Sequence, residues 1–156
     1  MPLQLGQPAP EFSLFDDEKN KVNLADQRGS NVLLLFFPLA FTSVCTAELC
    51  SVRDDISRFN NADARVFGIS VDSLYTLHRF REDQQLNFPL LSDFNKEVSR
   101  LYDSLYPVFG FEMREVSKRS AFLIDREGNL AYQEILENAG LVPDFEAIHR
   151  ELEKLR

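Results

Sequence analysis

The stretch Asn31-Val32-Leu33-Leu34-Leu35-Phe36-Phe37-Pro38-Leu39-Ala40-Phe41-Thr42-Ser43-Val44-Cys45 decides how the rest of the chain is read. After Asn31, residues 32–37 form a continuous apolar run without polar alternation, and 31–37 suits a strand buried on both faces in the middle of an α/β sheet. Pro38 ends the run, because a proline nitrogen cannot donate to a strand ladder. Thr42 and Ser43 are helix-capping residue types. Beyond them Cys45, Leu49, Val52, Ile56 and Phe59 recur at spacings of 4, 3, 4 and 3, the single apolar stripe of one amphipathic helix.

The same logic extends outward. Residues 11–14 and 21–24 are short strand candidates around a polar turn at 16–20. Residues 64–71 predict a strand, and Asp72 and Ser73 then cap a helix running to about Gln85. A short strand at 89–91, a short helix at 96–102 and a hairpin of 120–124 with 130–136 follow. Pro143 opens a terminal helix carrying Phe145, Ile148, Leu152 and Leu155 at helical spacing. Strands alternating with helices, then a hairpin and helix, predict an α/β fold with a mixed central sheet.

At 156 residues the chain has the length of one domain, expected over residues 1–156. That length suffices for a core without disulfide or metal. The 17 basic and 25 acidic residues leave a net charge of −8, which disfavours nucleic acid and anionic membranes as partners. No basic n-region with an apolar h-region opens the sequence, and the longest apolar run is far short of the roughly 18 residues of a membrane helix. The expected compartment is the cytoplasm, which is reducing. The only cysteines are Cys45 and Cys50, too few for a disulfide scaffold.

Cys45 is expected in the first helical turn, where free N–H groups and the helix dipole favour an anion, and a thiolate is the nucleophilic form of cysteine. A lone cysteine on an apolar stripe is usually just a small core residue. Cys50 lies about 140° from Cys45 around the helix and off the stripe, with the two Cα atoms roughly 8–9 Å apart. A disulfide needs less than about 7 Å, so pairing would require the first turns to unwind.

The pattern P-x-x-x-T-x-x-C in Pro38–Cys45 resembles that of the peroxiredoxins. The likeness also covers Gly6-Gln7-Pro8-Ala9-Pro10-Glu11-Phe12, Thr46-Ala47-Glu48-Leu49, Phe88-Pro89-Leu90-Leu91-Ser92-Asp93 and Arg119-Ser120-Ala121-Phe122-Leu123-Ile124-Asp125. It implies a thioredoxin-like fold with an N-terminal β extension, and thiol-dependent peroxidase activity without cofactor or metal. By this resemblance Cys45 is the peroxidatic cysteine, Pro38 shields it from water, Thr42 supplies a hydroxyl and Arg119 a guanidinium, with Glu48 in support. Taken singly, Thr42 reads equally as an N-cap, Arg119 as a surface ion-pair residue and Glu48 as a helix-face carboxylate. A second cysteine five positions on, with Arg53-Asp54, is similar to the bacterioferritin-comigratory (peroxiredoxin Q) branch, where it is the resolving thiol. The segment Phe37–Thr42 resembles instead the alkyl hydroperoxidase E-like branch, which often works with one cysteine.

The resemblance further implies a cycle through a Cys45 sulfenic acid. Cys50 condenses with it, and thioredoxin or a glutaredoxin-like protein reduces the disulfide. A homodimer through the edge near the active site is common in the family. Other classes fit less well. A thioredoxin-type oxidoreductase needs C-x-x-C, and a cysteine hydrolase needs a histidine base, whereas His78 and His149 fall within expected helices as surface residues. Zinc-ligand spacing is missing. A non-catalytic binding module of the same fold is the alternative of a different class. The aromatic segment Tyr102, Tyr106, Phe109 and Phe111 reads as core, or as a wall of the site or dimer contact.

Overall fold

The computed structural model of the chain describes residues 3–155, so residues 1, 2 and 156 of the expected domain lie outside the described residues. In chain order the elements are β1 (Ser13–Phe15), β2 (Lys21–Asn23), β3 (Asn31–Phe36), α1 (Ser43–Asp54), α2 (Ile56–Asn61), β4 (Ala64–Ser70), α3 (Leu74–Gln84) and β5 (Leu90–Ser92). They continue with α4 (Glu97–Leu101), β6 (Leu105–Val108), β7 (Arg114–Ser117), β8 (Ser120–Ile124), β9 (Leu130–Ile135) and α5 (Phe145–Lys154).

The central sheet has the order β5-β4-β3-β8-β9. Strands β3, β4 and β5 run parallel, and β8 and β9 are antiparallel additions. All six residues of β3 are buried, because layers cover both faces. Leu33, Leu35 and Phe37 join a core with Leu49 and Val52 of α1, Phe59 of α2, Leu77 and Phe80 of α3, and Ile148 and Leu152 of α5. Val32, Leu34 and Phe36 turn the other way and meet Val98 of α4, Tyr102, Phe122 and Ile124, with Leu14 and Val22 of the β1–β2 hairpin packed alongside. The unbroken apolar run of β3 is thus the pleat's alternation between two cores. The mixed sheet, its flanking helices and the N-terminal hairpin match the expected fold class.

Three expectations need correction, and one element was not anticipated. The helix predicted through Phe59 breaks at Asp55, whose backbone leaves helical geometry with φ −115°. The Asp55 carboxylate is held by His149 Nε2 of α5 at 3.2 Å, and the chain restarts as α2. Residues 105–117 form a second hairpin, β6–β7; Pro107 argues against a strand in sequence, but this two-stranded sheet leaves room for a proline at an edge. His149 is buried rather than on the surface, its ring tilted against Phe59 at 4.6 Å. The first strand is Ser13–Phe15, displaced along the chain from the 11–14 expected.

Phe36 is fully buried, with ring contacts to Tyr102 at 5.5 Å and Phe122 at 5.6 Å. Phe36→Ala is expected to lower the free energy of unfolding by about 3–5 kcal/mol, read as a lower urea midpoint with unchanged slope.

Candidate active site

The site begins where β3 ends. Phe37 N–H still bonds Ile69 O at 2.9 Å, and buried Pro38 then turns the chain out of the sheet. Asp72, at the end of β4, fixes the loop: its carboxylate accepts from Ala40 N–H at 2.8 Å and from Ser70 Oγ at 2.7 Å. Phe41 is pinned at φ +70°, a left-handed conformation unusual for an aromatic residue. Its ring packs on Phe80 of α3 at 5.1 Å, which anchors the strained residue. Asp72 was expected only as a helix cap; Ser73 provides the cap, accepting from Thr76 N–H. Nothing in the sequence marks Asp72 as a loop clamp across 32 residues.

Thr42 occupies the N-cap position, yet its hydroxyl makes no cap bond. It donates to Leu39 O at 2.8 Å, which uses its proton and leaves the oxygen lone pairs as acceptors. The first helical bond runs from Thr46 N–H to Thr42 O. Cys45, the third residue of α1, therefore lies in the turn whose N–H groups have no helical acceptor. Its side chain is fully buried.

Arg119 joins the elements. It lies between β7 and β8, and the register Phe36↔Ser120 sets it beside the end of β3. At 1% exposure it is the largest fully buried side chain among the described residues. Nη2 donates to Cys45 Sγ at 3.2 Å, Nη1 to Glu48 Oε1 at 2.6 Å and Nε to Ala139 O at 2.9 Å. The Arg119 N–H meets Tyr106 Oη at 3.4 Å, and that hydroxyl donates to Leu136 O at 2.7 Å. Tyr106 thus belongs to the site's wall, as the aromatic segment suggested, and Phe109 stacks on it at 5.8 Å. Phe111 is 98% exposed, not core.

Glu48 is a buried partner rather than a free helix-face carboxylate. Burial pushes its carboxyl up to about 7, against the opposing pull of the Arg119 charge and hydrogen bond. Its Oε2 is buried with no hydrogen-bond partner among the described residues. Burial disfavours the charge on Arg119, but Glu48 and Cys45 outweigh this and its pKa stands above the usual arginine value. Arginine, with fixed donors and a permanent charge, suits this bridging position better than lysine would.

The fold therefore brings Cys45, Glu48 and Arg119 into direct contact, with Pro38 and Thr42 in the loop entering the same helix. Cys50 is not in that cluster. It is half-buried at the edge of the core, where its Sγ donates to Gln84 Oε1 of α3 at 3.5 Å, and both cysteines are free thiols. The histidines are engaged elsewhere: His78 with Asp17 and Glu82, His149 with Asp55. Among the described residues no group of three His, Cys, Asp or Glu side chains is placed to hold a metal ion. Nor is any described helix long and apolar enough to cross a membrane.

Solved structures with the same fold include peroxiredoxins. Peroxidoxin BcpB from Mycobacterium tuberculosis superposes with a TM-score of 0.85 at 26% identity, over 99% of each chain. Peroxiredoxin Q from Xanthomonas campestris gives 0.81 at 25% identity, over 97% of this chain and 96% of its own. The sequence is 39% identical over 137 residues to peroxiredoxin Bcp of Escherichia coli K12, spanning 84% of this chain and 85% of that protein. It is also 39% identical over 136 residues to alkyl hydroperoxide reductase E of Mycobacterium bovis, spanning 85% and 86%. Fold and relatives define a thiol-dependent peroxidase of thioredoxin-like architecture. Residues 5–133 match the AhpC/TSA family model, and the chain belongs to that family as a peroxiredoxin.

The raised Glu48 carboxyl fixes the sign of a pH effect. A group whose pKa is higher in the folded state gives its full stability below the ordinary value of 4.5, and loses it as pH rises through about 7. The stability of the reduced protein relative to Glu48→Gln is expected to fall by roughly 2–3 kcal/mol between pH 5 and pH 8. Urea unfolding at a series of pH values checks this, and a pH-independent difference contradicts it.

Proposed function

We propose that this chain, one domain over residues 1–156 acting in the cytoplasm, reduces hydrogen peroxide and organic hydroperoxides at Cys45. The observation that carries the reading is the buried Arg119 guanidinium, which donates to Cys45 Sγ and Glu48 Oε1 together. The guanidinium keeps a permanent positive charge beside the sulfur, and the thiolate is the nucleophilic form of cysteine. The thiolate attacks the terminal oxygen of the hydroperoxide along the O–O axis. The S–O bond forms as the O–O bond breaks, and the electron pair leaves on the second oxygen. That alkoxide or hydroxide takes a proton from the medium, and Cys45 becomes a sulfenic acid.

Each neighbour has a role in that step. Arg119 shifts its donors from sulfur toward the peroxide oxygens as charge moves there, which lowers the barrier because the gain is largest in the transition state. The Thr42 oxygen, its proton already committed to Leu39 O, is free to accept from the peroxide O–H. Glu48 and Ala139 O hold the guanidinium in place. Pro38, buried in the loop, keeps bulk water from the sulfur. No cofactor or metal enters.

Cys50 then resolves the sulfenic acid as an intramolecular disulfide, which thioredoxin or a glutaredoxin-like protein reduces by exchange. The placement of Cys50 against Gln84 supports this only if α1 opens first. A second reading, resolution by an external thiol, is favoured by that same placement. A homodimer through the edge nearest Cys45 is supported by exposed Phe41, Phe111, Leu141 and Val142. The first precedes α1, Phe111 lies in the β6–β7 hairpin, and the last two follow Ala139. The net charge of −8 supports partners other than nucleic acid or anionic membrane.

Peroxide consumption with a dithiol donor is expected to vanish in Cys45→Ser. Arg119→Met is expected to slow Cys45 oxidation by about 10²–10³, the effect of removing one such donor. After one equivalent of peroxide, alkylation and intact mass should find a disulfide in wild type and a sulfenic acid in Cys50→Ser. A persistent wild-type sulfenic acid would favour the external thiol.

A further inference from the structure

Helix α1 is held differently at its two ends. Its N-terminal half is tied to the rest of the protein through Arg119, by way of Cys45 and Glu48. Its C-terminal half is tied to the end of α3. There Arg53 Nη1 donates to Gln84 O at 2.6 Å, and Asn87 Nδ2 donates to Arg53 O at 3.1 Å. Both acceptors are carbonyls of a last helical turn, and Arg53 O also takes the Asp55 N–H. Gln85, at φ +52°, ends α3 just at this point. Arg53 Nε is steered by Asp54 at 2.9 Å, and its positive charge stands favourably at the C-terminus of α3. Past the break at Asp55, α2 is fastened separately to α5 through Arg58–Glu146 and Asp55–His149.

Oxidation of Cys45 acts on only one of these ends. A neutral sulfenic acid no longer offers Arg119 an anionic partner, so the attraction between opposite charges is lost and only a hydrogen bond from the guanidinium remains. The clamp at Arg53 is untouched. We infer that Arg53 and Asn87 are positioning residues for the resolving step: they stop the unwinding of α1 below Cys50 and hold Cys50 against α3 while Cys45 comes to it. This rests on Cys50 being the resolving thiol. Cys50 loses its proton and attacks the Cys45 sulfur. The S–S bond forms as the S–O bond breaks, and hydroxide leaves with the proton as water. Cys50 is oxidised and the sulfenic sulfur reduced, the oxidising equivalents having come from the peroxide. Holding one reactant still removes part of the orientational search from this step.

The test separates the two steps by rapid quench, alkylation and intact mass, after one equivalent of hydrogen peroxide. In Arg53→Ala and in Asn87→Ala, loss of the Cys45 thiol should stay within about twofold of wild type, while disulfide formation slows about tenfold, the scale of a lost tie of this kind. Because both side chains serve one clamp, the double variant should be little slower than the slower single variant. Arg53→Lys, which can still donate to Gln84 O, should recover part of the rate. Under excess peroxide the slow variants should accumulate more Cys45 sulfinic acid. Disulfide formation at or above the wild-type rate in both single variants overturns the clamp, as does equal slowing of both steps. Absence of a disulfide in wild type itself is a separate outcome, and it removes the resolving reading together with this one.

Discussion

The structure depends on a permanent charge placed where water does not reach it. A buried guanidinium is tolerated only if its donors are satisfied and an anion stands close by. Arg119 meets both conditions with three groups from two segments: Cys45 and Glu48 of α1, and Ala139 O from the loop after β9. Tyr106 of β6 closes the fourth side through the backbone N–H. Removing any one of these leaves a charge or a donor uncompensated, so the segments cannot be varied independently. The surrounding apolar core limits water, and that low dielectric makes each of these contacts stronger than it would be at the surface.

The sheet makes this possible. β8 lies next to β3, although 83 residues of chain separate the paired Phe36 and Ser120. That one register places Arg119 at the point where β3 releases the chain into the loop that starts α1. A slip by one residue would turn Arg119 to the opposite face. The loop is held as firmly as the strands, by Asp72 at Ala40 N–H and by the packing of Phe41 on Phe80. The sulfur is thereby aimed by three rigid elements, the arrangement that favours preorganised electrostatics over induced closure.

Helix α1 is intact in the reduced protein, as the Arg119 contacts require, and under the proposed cycle a bond between Cys45 and Cys50 needs its first turns open. The break at Asp55 and the ties of Arg53 to Gln84 and Asn87 lie beyond those turns. The second core, around Val32, Leu34 and Phe36, lies on the far face of the sheet and shares no residue with those turns.

Much of this was legible from residue order alone, for a local reason. Hydrophobic runs, proline and glycine punctuation and helical periodicity act over a few residues, so β3, the start of α1, β4, α3, the β8–β9 hairpin and α5 could be read off within a residue or two. The pattern from Pro38 to Cys45, with Arg119 far along the chain, marked the family. What the residues alone misread or left open shares the opposite cause. The break at Asp55 depends on His149, 94 residues away; the loop clamp depends on Asp72; and the choice for Glu48 between a support and a helix-face carboxylate depends on Arg119. Each is a polar contact between distant segments, and no short-range pattern encodes it. The amino-acid sequence by itself determined the α/β class, the helix-head thiol and the membership of a thiol peroxidase family. Only the tertiary structure decided that Arg119 would touch sulfur and carboxylate together, that Glu48 would be held near neutrality, and that Cys50 would face α3 rather than Cys45. These follow from burial and pairing, which exist only once the chain has closed on itself.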